Sequence, residues 1–181
     1  MTTLLRTARL ELVPMTLAMV EAVMLGRRDE SEGLASAKMP ERWPNHELIE
    51  RAFPVSLDDL RAEPAARLWG ARVMVAGIGP DRRVVGSIVF HGRPAEDGVA
   101  EIAYGVEEGS QRRGYASEAV AACVDWALGQ PGVRAVQAAT FAWHHRSLRV
   151  IANVGMVRVG ERDHETMGEM IVFERRIPLG L

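Results

Sequence analysis

Apolar residues alternate with polar ones in the opening stretch LLRTARLELVPM. Leu4, Leu10 and Leu12 share one phase, which predicts a strand over Leu4–Met15 ended by Pro14. Thr16 stands where a helix cap belongs, so a short helix is expected through Leu25. Gly26–Asn45 is polar, carries two prolines and reads as a loop with at most one helical turn. HELIERAFPVSLDDLRAEP predicts one or two short helices broken before Pro54. Three β-rich runs follow, Arg67–Gly77, Arg82–Gly92 and Gly98–Glu108, joined by the short turn-like connectors IGPD and RPAED. Connectors this short imply antiparallel neighbours. In GSQRRGYASEAVAACVDWAL, from Gly109 to Leu128, Ala116, Val120, Cys123 and Ala127 make a helical stripe. GVRAVQAATF then reads as a parallel-type strand, HHRSLRVIANVGM as a short helix stopped by Gly155, and MVRVGERD with EMIVFERRI as a closing strand pair. The order β–α–α–β–β–β–α–β–α–β–β predicts an α+β fold on a mixed sheet, one domain across residues 1–181.

Composition narrows the class. A chain of 181 residues that is 48% hydrophobic buries a sizeable core, roughly 70% of its unfolded surface. The net charge of −2 argues against a nucleic-acid partner, for which only the Arg112–Arg113 and Arg175–Arg176 pairs speak. Cys123, the one cysteine, excludes a disulfide framework and a cysteine zinc site, and its helical setting suits a small core residue. No apolar run reaches the ~20 residues of a membrane span and no signal-peptide core opens the chain, so a cytoplasmic protein without a membrane partner is expected.

The chemistry gathers at Gln111–Ser117. A helix start leaves its first amides unpaired and carries partial positive charge. Gly114 lets a ligand approach the backbone there, while Arg112 and Arg113 add formal charge. Such a turn suits a pyrophosphate. Neither a Walker loop nor a G-x-G-x-x-G fingerprint is present.

AEIAYGVEEGSQRRGYASEAV resembles the acetyl-CoA motif of the GNAT N-acetyltransferases, with Gln111-Arg112-Arg113-Gly114-Tyr115-Ala116 matching Q/R-x-x-G-x-G/A. RTARLELVPM and RSLRVIANVGM are similar to segments of the RimJ/RimL-like subgroup. The resemblance implies a three-layer αβα fold whose mixed, mostly antiparallel sheet is splayed at its centre. It implies acetyl-CoA as cosubstrate, and no metal is assigned. The backbone of Arg112 to Ala116, with Gln111 and Ser117, would hold the pyrophosphate, and Val106 would pair with the pantetheine arm. His144 stands where the family has an asparagine on the CoA arm. Ser147 is a candidate donor to the leaving sulfur or a plain helix cap. The family's usual acidic tyrosine falls at Ile151.

Glu101 shares a strand face with Ala103 and Gly105, opposite Ile102, Tyr104 and Val106. It is a candidate base for the acceptor ammonium or an ordinary solvated glutamate. Trp43, in MPERWPN, either borders the acceptor pocket or anchors its loop on the sheet. His91 either faces the acceptor cleft or lies on the surface. The expected reaction is direct attack of an amine on the thioester in a ternary complex. The alternative is a catalytically silent acyl-CoA-binding regulatory domain, prompted by His144 and Ile151. The acceptor stays open among a protein N-terminus, an aminoglycoside, a polyamine and an amino acid, and a homodimer is one open assembly.

Overall fold

The computed structural model describes residues 4–45 and 48–177. Its strands are β1 (Leu5–Arg6), β2 (Leu10–Pro14), β3 (Ala71–Ala76), β4 (Arg83–Phe90), β5 (Val99–Val106), β6 (Ala135–Thr140), β7 (Val157–His164) and β8 (Gly168–Arg176). They form one sheet in the order β1-β2-β3-β4-β5-β6-β8-β7, in which only β5 and β6 run parallel. A parallel pair needs a crossover, and α4 (Tyr115–Leu128) supplies it. The expected mixed, mostly antiparallel α+β architecture is present.

Helices cover both faces. On one side α4 buries Ala119, Val120, Cys123, Val124 and Ala127 against Met74, Ile88, Ile102 and Val136. Val120, Cys123 and Ala127 of the predicted stripe are buried in place, with Ala119 and Val124 beside them, whereas Ala116 is only half-buried because it lies at the turn. Helix α5 (His145–Val154) joins this side through Ile151 and Val154 and stops at Gly155, whose φ is 77°. On the opposite side α1 (Leu17–Met24) packs Met19, Val20 and Val23 against Val73, Val75 and Val89, together with Phe53 of α3 (Phe53–Ala62). Thr16 caps α1 by accepting the Met19 amide. β3 lies between both layers, so all six of its residues are buried.

Four local expectations differ from the structure. The opening stretch is not one strand but two, β1 and β2, which turn back at Thr7–Arg9 and pair antiparallel. Arg28–Ala35 is a two-turn helix, α2, and not loop. Its buried residues are Ser31 and Ala35, so no apolar stripe advertises it, and pairs such as Arg28–Glu32 line its surface. Pro54 does not break a helix; it sits in the first turn of α3, where a missing N–H costs nothing. A wider turn with i→i+5 bonding, Leu48–Ala52, leads into it. Arg67–Trp69 belong to a tight helical segment, Pro64–Trp69, and the strand starts at Ala71.

The decisive feature lies between β5 and β6. They pair only through Val99↔Ala135, Ala100↔Val136 and Glu101↔Gln137, although β5 runs on to Val106 and β6 to Thr140. Beyond Glu101 the two strands part. Strand β5 then stays fixed to β4 alone, from Ile102↔Phe90 to Val106↔Gly86. The approach there is close: a Cβ on Gly86 would stand 2.3 Å from the Gly105 carbonyl oxygen and 2.9 Å from Val106 Cα. A Cβ on Gly105 meets nothing within 4 Å. Gly86→Ala is therefore expected to lower the melting temperature by roughly 4–8 °C, for an overpacking cost of about 2 kcal/mol. Gly105→Ala is expected to stay within about 2 °C of wild type. Calorimetry of both variants checks the contrast.

Candidate active site

Strand β5 leads through Glu108–Ser110 into the glycine turn. The Glu107 carboxylate accepts the Gly109 amide at 2.9 Å and the Ser110 hydroxyl, which folds the chain back. Arg112 and Gly114 then take left-handed conformations, φ 62° and 81°, and α4 begins at Tyr115. The first helical bond runs from the Glu118 amide to the Gly114 carbonyl. Among the described residues, no protein acceptor meets the amides of Arg112 to Ala116. Gln111, Arg112, Arg146 and Glu108 frame a hollow of about 620 Å³ beside them. This is an anion-ready helix start.

A residue that the sequence analysis passed over holds the turn in place. Arg9 donates from its Nη1 to the Arg113 carbonyl at 2.7 Å. Its backbone amide and Nε donate to Glu118 at 2.8 and 2.7 Å, and its guanidinium lies 4.9 Å from the Tyr115 ring centre. The position of Gly114 favours glycine through its φ of 81°, and a Cβ there would also crowd Arg9 Nη2 at 3.2 Å. Ser117 Oγ accepts from Asn153 Nδ2 at 3.2 Å, tying α4 to α5.

The backbone edge that β6 abandons is set by strand alternation. The Glu101 carbonyl and the Glu107 amide bond toward β4, whereas the Gly98 carbonyl accepts from Arg134 on the β6 side. Alternation then turns the Ile102 carbonyl and the N–H and C=O of Tyr104 and Val106 into the notch, while the Ile102 amide still meets β6 through the last parallel pair. The Val106 carbonyl takes the Gln111 side-chain amide at 3.0 Å, linking the strand edge to the turn. Ser147, in the first turn of α5, approaches from the other wall. The Tyr104 hydroxyl lies 2.9 Å from Ser147 Oγ and donates to the Ser147 carbonyl at 3.2 Å. Burial raises the Tyr104 pKa while the bond to Ser147 opposes the rise, so the phenol keeps its proton near neutrality. Ile151 is core, 1% exposed. A phenol is thus present after all, on β5 and not on α5; its signal in the sequence was the placement of Tyr104 on the face opposite Glu101. His144 precedes α5 with its Nδ1 3.3 Å from Thr140 Oγ1.

The other face of β5 opens on a cleft of about 1350 Å³. Glu101, Ala103 and Gly105 line it from β5, His91 from the end of β4, Arg162 and His164 from β7, and Trp43 from its loop. Glu101 is not an isolated carboxylate. Arg162 grips both of its oxygens, Nη1 to Oε2 at 2.9 Å and Nη2 to Oε1, and His91 Nδ1 stands 3.4 Å from Oε1. Burial pushes the Glu101 pKa up, but hydrogen bonds and charge from Arg162 and His91 prevail and bring it to about 2. Trp43 is 7% exposed and edge-on to Phe53, so it anchors the loop and walls the cleft at once.

Two further groups are accounted for. Burial drives the Cys123 thiol to about 12, with Arg72 only partly offsetting it, which removes it as a nucleophile. Arg175 pairs with Asp125 and Arg176 with Glu174.

The chain matches the family described as acetyltransferase (GNAT) domain over residues 9–157. It is 27% identical over 135 residues, 75% of this chain and 78% of the relative, to the uncharacterized N-acetyltransferase YjdG of Bacillus subtilis (strain 168). Its fold is similar to the ribosomal-protein-S5-alanine acetyltransferase of Vibrio fischeri, with TM-score 0.67, 15% identity and 96% of each chain covered. It is also similar to Mycobacterium smegmatis RimJ bound to CoA-disulfide, with TM-score 0.64, 16% identity, 97% of this chain and 88% of that one covered.

The Glu101 ion pair has a measurable signature. Its folded pKa lies below the ordinary 4.5, so its contribution is complete above about pH 4.5 and is lost as pH falls toward 2. The full shift corresponds to about 3 kcal/mol. In urea unfolding, the stability difference between wild type and Glu101→Gln is expected to be largest at pH 6–7 and to shrink between about pH 4.5 and 3. A difference that does not change with pH contradicts the arrangement.

Proposed function

The chain belongs to the GNAT family of N-acetyltransferases, and from that premise we propose how its parts serve the transfer from acetyl-CoA to an amine. The pyrophosphate lies on the amides of Arg112 to Ala116, with Gln111, Arg112, Arg113 and Ser117 around it. The pantetheine arm runs into the notch as a substitute strand along Ile102, Tyr104 and Val106, near His144. One observation carries this reading: the open backbone edge of β5 ends at an anion-ready helix start. The thioester then sits where the notch meets the acceptor cleft, its carbonyl polarised by a β5 amide.

The acceptor enters from the cleft side, between His91, Trp43 and Glu101. At a pKa of about 2, Glu101 is a poor proton acceptor, since a base works best near the operating pH. In this reading its part is to orient His91 and the incoming ammonium, and the imidazole of His91 or a bound water takes the proton. The free amine attacks the thioester carbonyl, the tetrahedral centre collapses with its second nitrogen proton passing to water, and the departing sulfur receives a proton from the Tyr104–Ser147 pair, which solvent then restores. No covalent acetyl-enzyme is required, in keeping with the inert Cys123. Proximity and carbonyl polarisation supply most of the acceleration. The acceptor amine belongs to a small molecule or a protein N-terminus; the Vibrio fischeri protein of similar fold is a ribosomal-protein-S5-alanine acetyltransferase. A cytoplasmic setting suits the donor. Among the described residues, no helix is long and apolar enough to cross a membrane.

CoA release measured over a broad amine panel tests the activity, and calorimetry tests the donor site. Gly114→Asp and Arg112→Glu, each confirmed folded by its melting curve, are expected to weaken acetyl-CoA binding by about tenfold or more, the scale of a lost charge-assisted contact. Folded variants with undiminished affinity remove the turn from the donor site. Tight acetyl-CoA binding with no turnover of any amine replaces the enzyme with an acyl-CoA-binding domain.

A further inference from the structure

The cleft floor is bipolar, and this constrains the acceptor. Arg162 reaches from β7 to Glu101 on β5, although β6 and β8 separate the two strands in the sheet. A guanidinium has five N–H donors. Glu101 takes one from Nη1 and one from Nη2, and among the described residues Arg162 has no other hydrogen-bond acceptor. Its side chain is 43% exposed and lines the cleft, and His91 and His164 line it nearby. The remaining donors of Arg162 are therefore offered to whatever occupies the cleft.

A bare ammonium gains little here. The Glu101 charge is already answered by Arg162, so attraction to one and repulsion from the other largely cancel at similar distances. A molecule carrying both signs avoids the cancellation, because its ammonium meets Glu101 while its anionic end meets Arg162. We propose that the acceptor is an amine with a carboxylate a few bonds from its nitrogen, as in a free amino acid, and that Arg162 is the residue that selects it. This rests on the acetyl-transfer reading above and adds the substrate class to it. Glu41 and Asp59 also line the cleft and would favour a second cation instead, so a polyamine is the competing outcome.

The test uses the full chain with acetyl-CoA and matched acceptors: amino acids, their amides, their decarboxylated amines, and spermidine. The amino acids are expected to show a kcat/KM about tenfold or more above their amide and amine counterparts, the scale of one charge-assisted hydrogen bond. Arg162→Met is expected to erase that preference while leaving the acetyl-CoA Kd unchanged, and Arg162→Lys to restore part of it. A peptide beginning Ala-Asp, compared with Ala-Asn, locates the source of the anion. A preference for the aspartate peptide over free amino acids, lost in Arg162→Met, keeps the anion–Arg162 contact but overturns the small-molecule acceptor. The proposal is overturned if the amides or decarboxylated amines match the acids, if spermidine is best, or if the preference survives in both Arg162 variants. Should no amine release CoA, the acetyl-transfer reading fails separately. Calorimetry of the same panel on CoA-loaded protein then decides the carboxylate preference, and equal or absent binding overturns it.

Discussion

Strand pairing that stops at Glu101 is the constraint on which the rest of the site depends. A parallel pair held by three residue matches leaves the remaining edge of β5 without a neighbour. Backbone groups left unpaired inside a fold are costly unless something satisfies them. The fold supports the exposed edge from behind, since β4 holds β5 through Val106 and Gly86 lets the two backbones nearly touch. The helices on the α4 side close one wall and the β7–β8 hairpin stands over the other. A notch with two such walls can receive an extended chain from one side and a second reactant from the opposite one.

Electrostatics divides the site in the same way. At the helix start, free amides and arginines concentrate positive potential on an otherwise slightly acidic protein. In the cleft Arg162 answers Glu101, while Glu41 and Asp59 add further negative charge to the lining. Between these regions lies Tyr104, whose burial keeps it neutral and whose partner is Ser147. One strand, β5, thereby presents a backbone edge, a phenol and a carboxylate to three different places, because alternate residues face opposite sides.

The sheet was legible because its strands alternate or run apolar and its connectors are short. Gly155 as a helix stop and Thr16 as a cap were legible for similarly local reasons. Helix α2 was not, because Arg28–Ala35 buries little and carries no stripe. The turn at Gln111–Ala116 could be read from the chain because its chemistry is contiguous. The clamp by Arg9 spans about a hundred residues of sequence, and Arg162 meets Glu101 only because the hairpin curls over the sheet. Neither contact leaves a local pattern. Glu101 itself was singled out correctly as lying beside open space, but the reading of a free carboxylate there depended on a partner 61 residues away.

Amide hydrogen exchange with and without acetyl-CoA tests the central claim most directly, since it reports on the backbone groups that the fold leaves unpaired. Protection is predicted for Tyr104 and Val106 on the notch edge of β5 and for Arg112 to Ala116 at the helix start, with the Ile102 amide, already held by β6, and the β4-bonded amides Ala103 and Gly105 little changed. Protection confined to other segments, or none at either place while acetyl-CoA is bound, contradicts it.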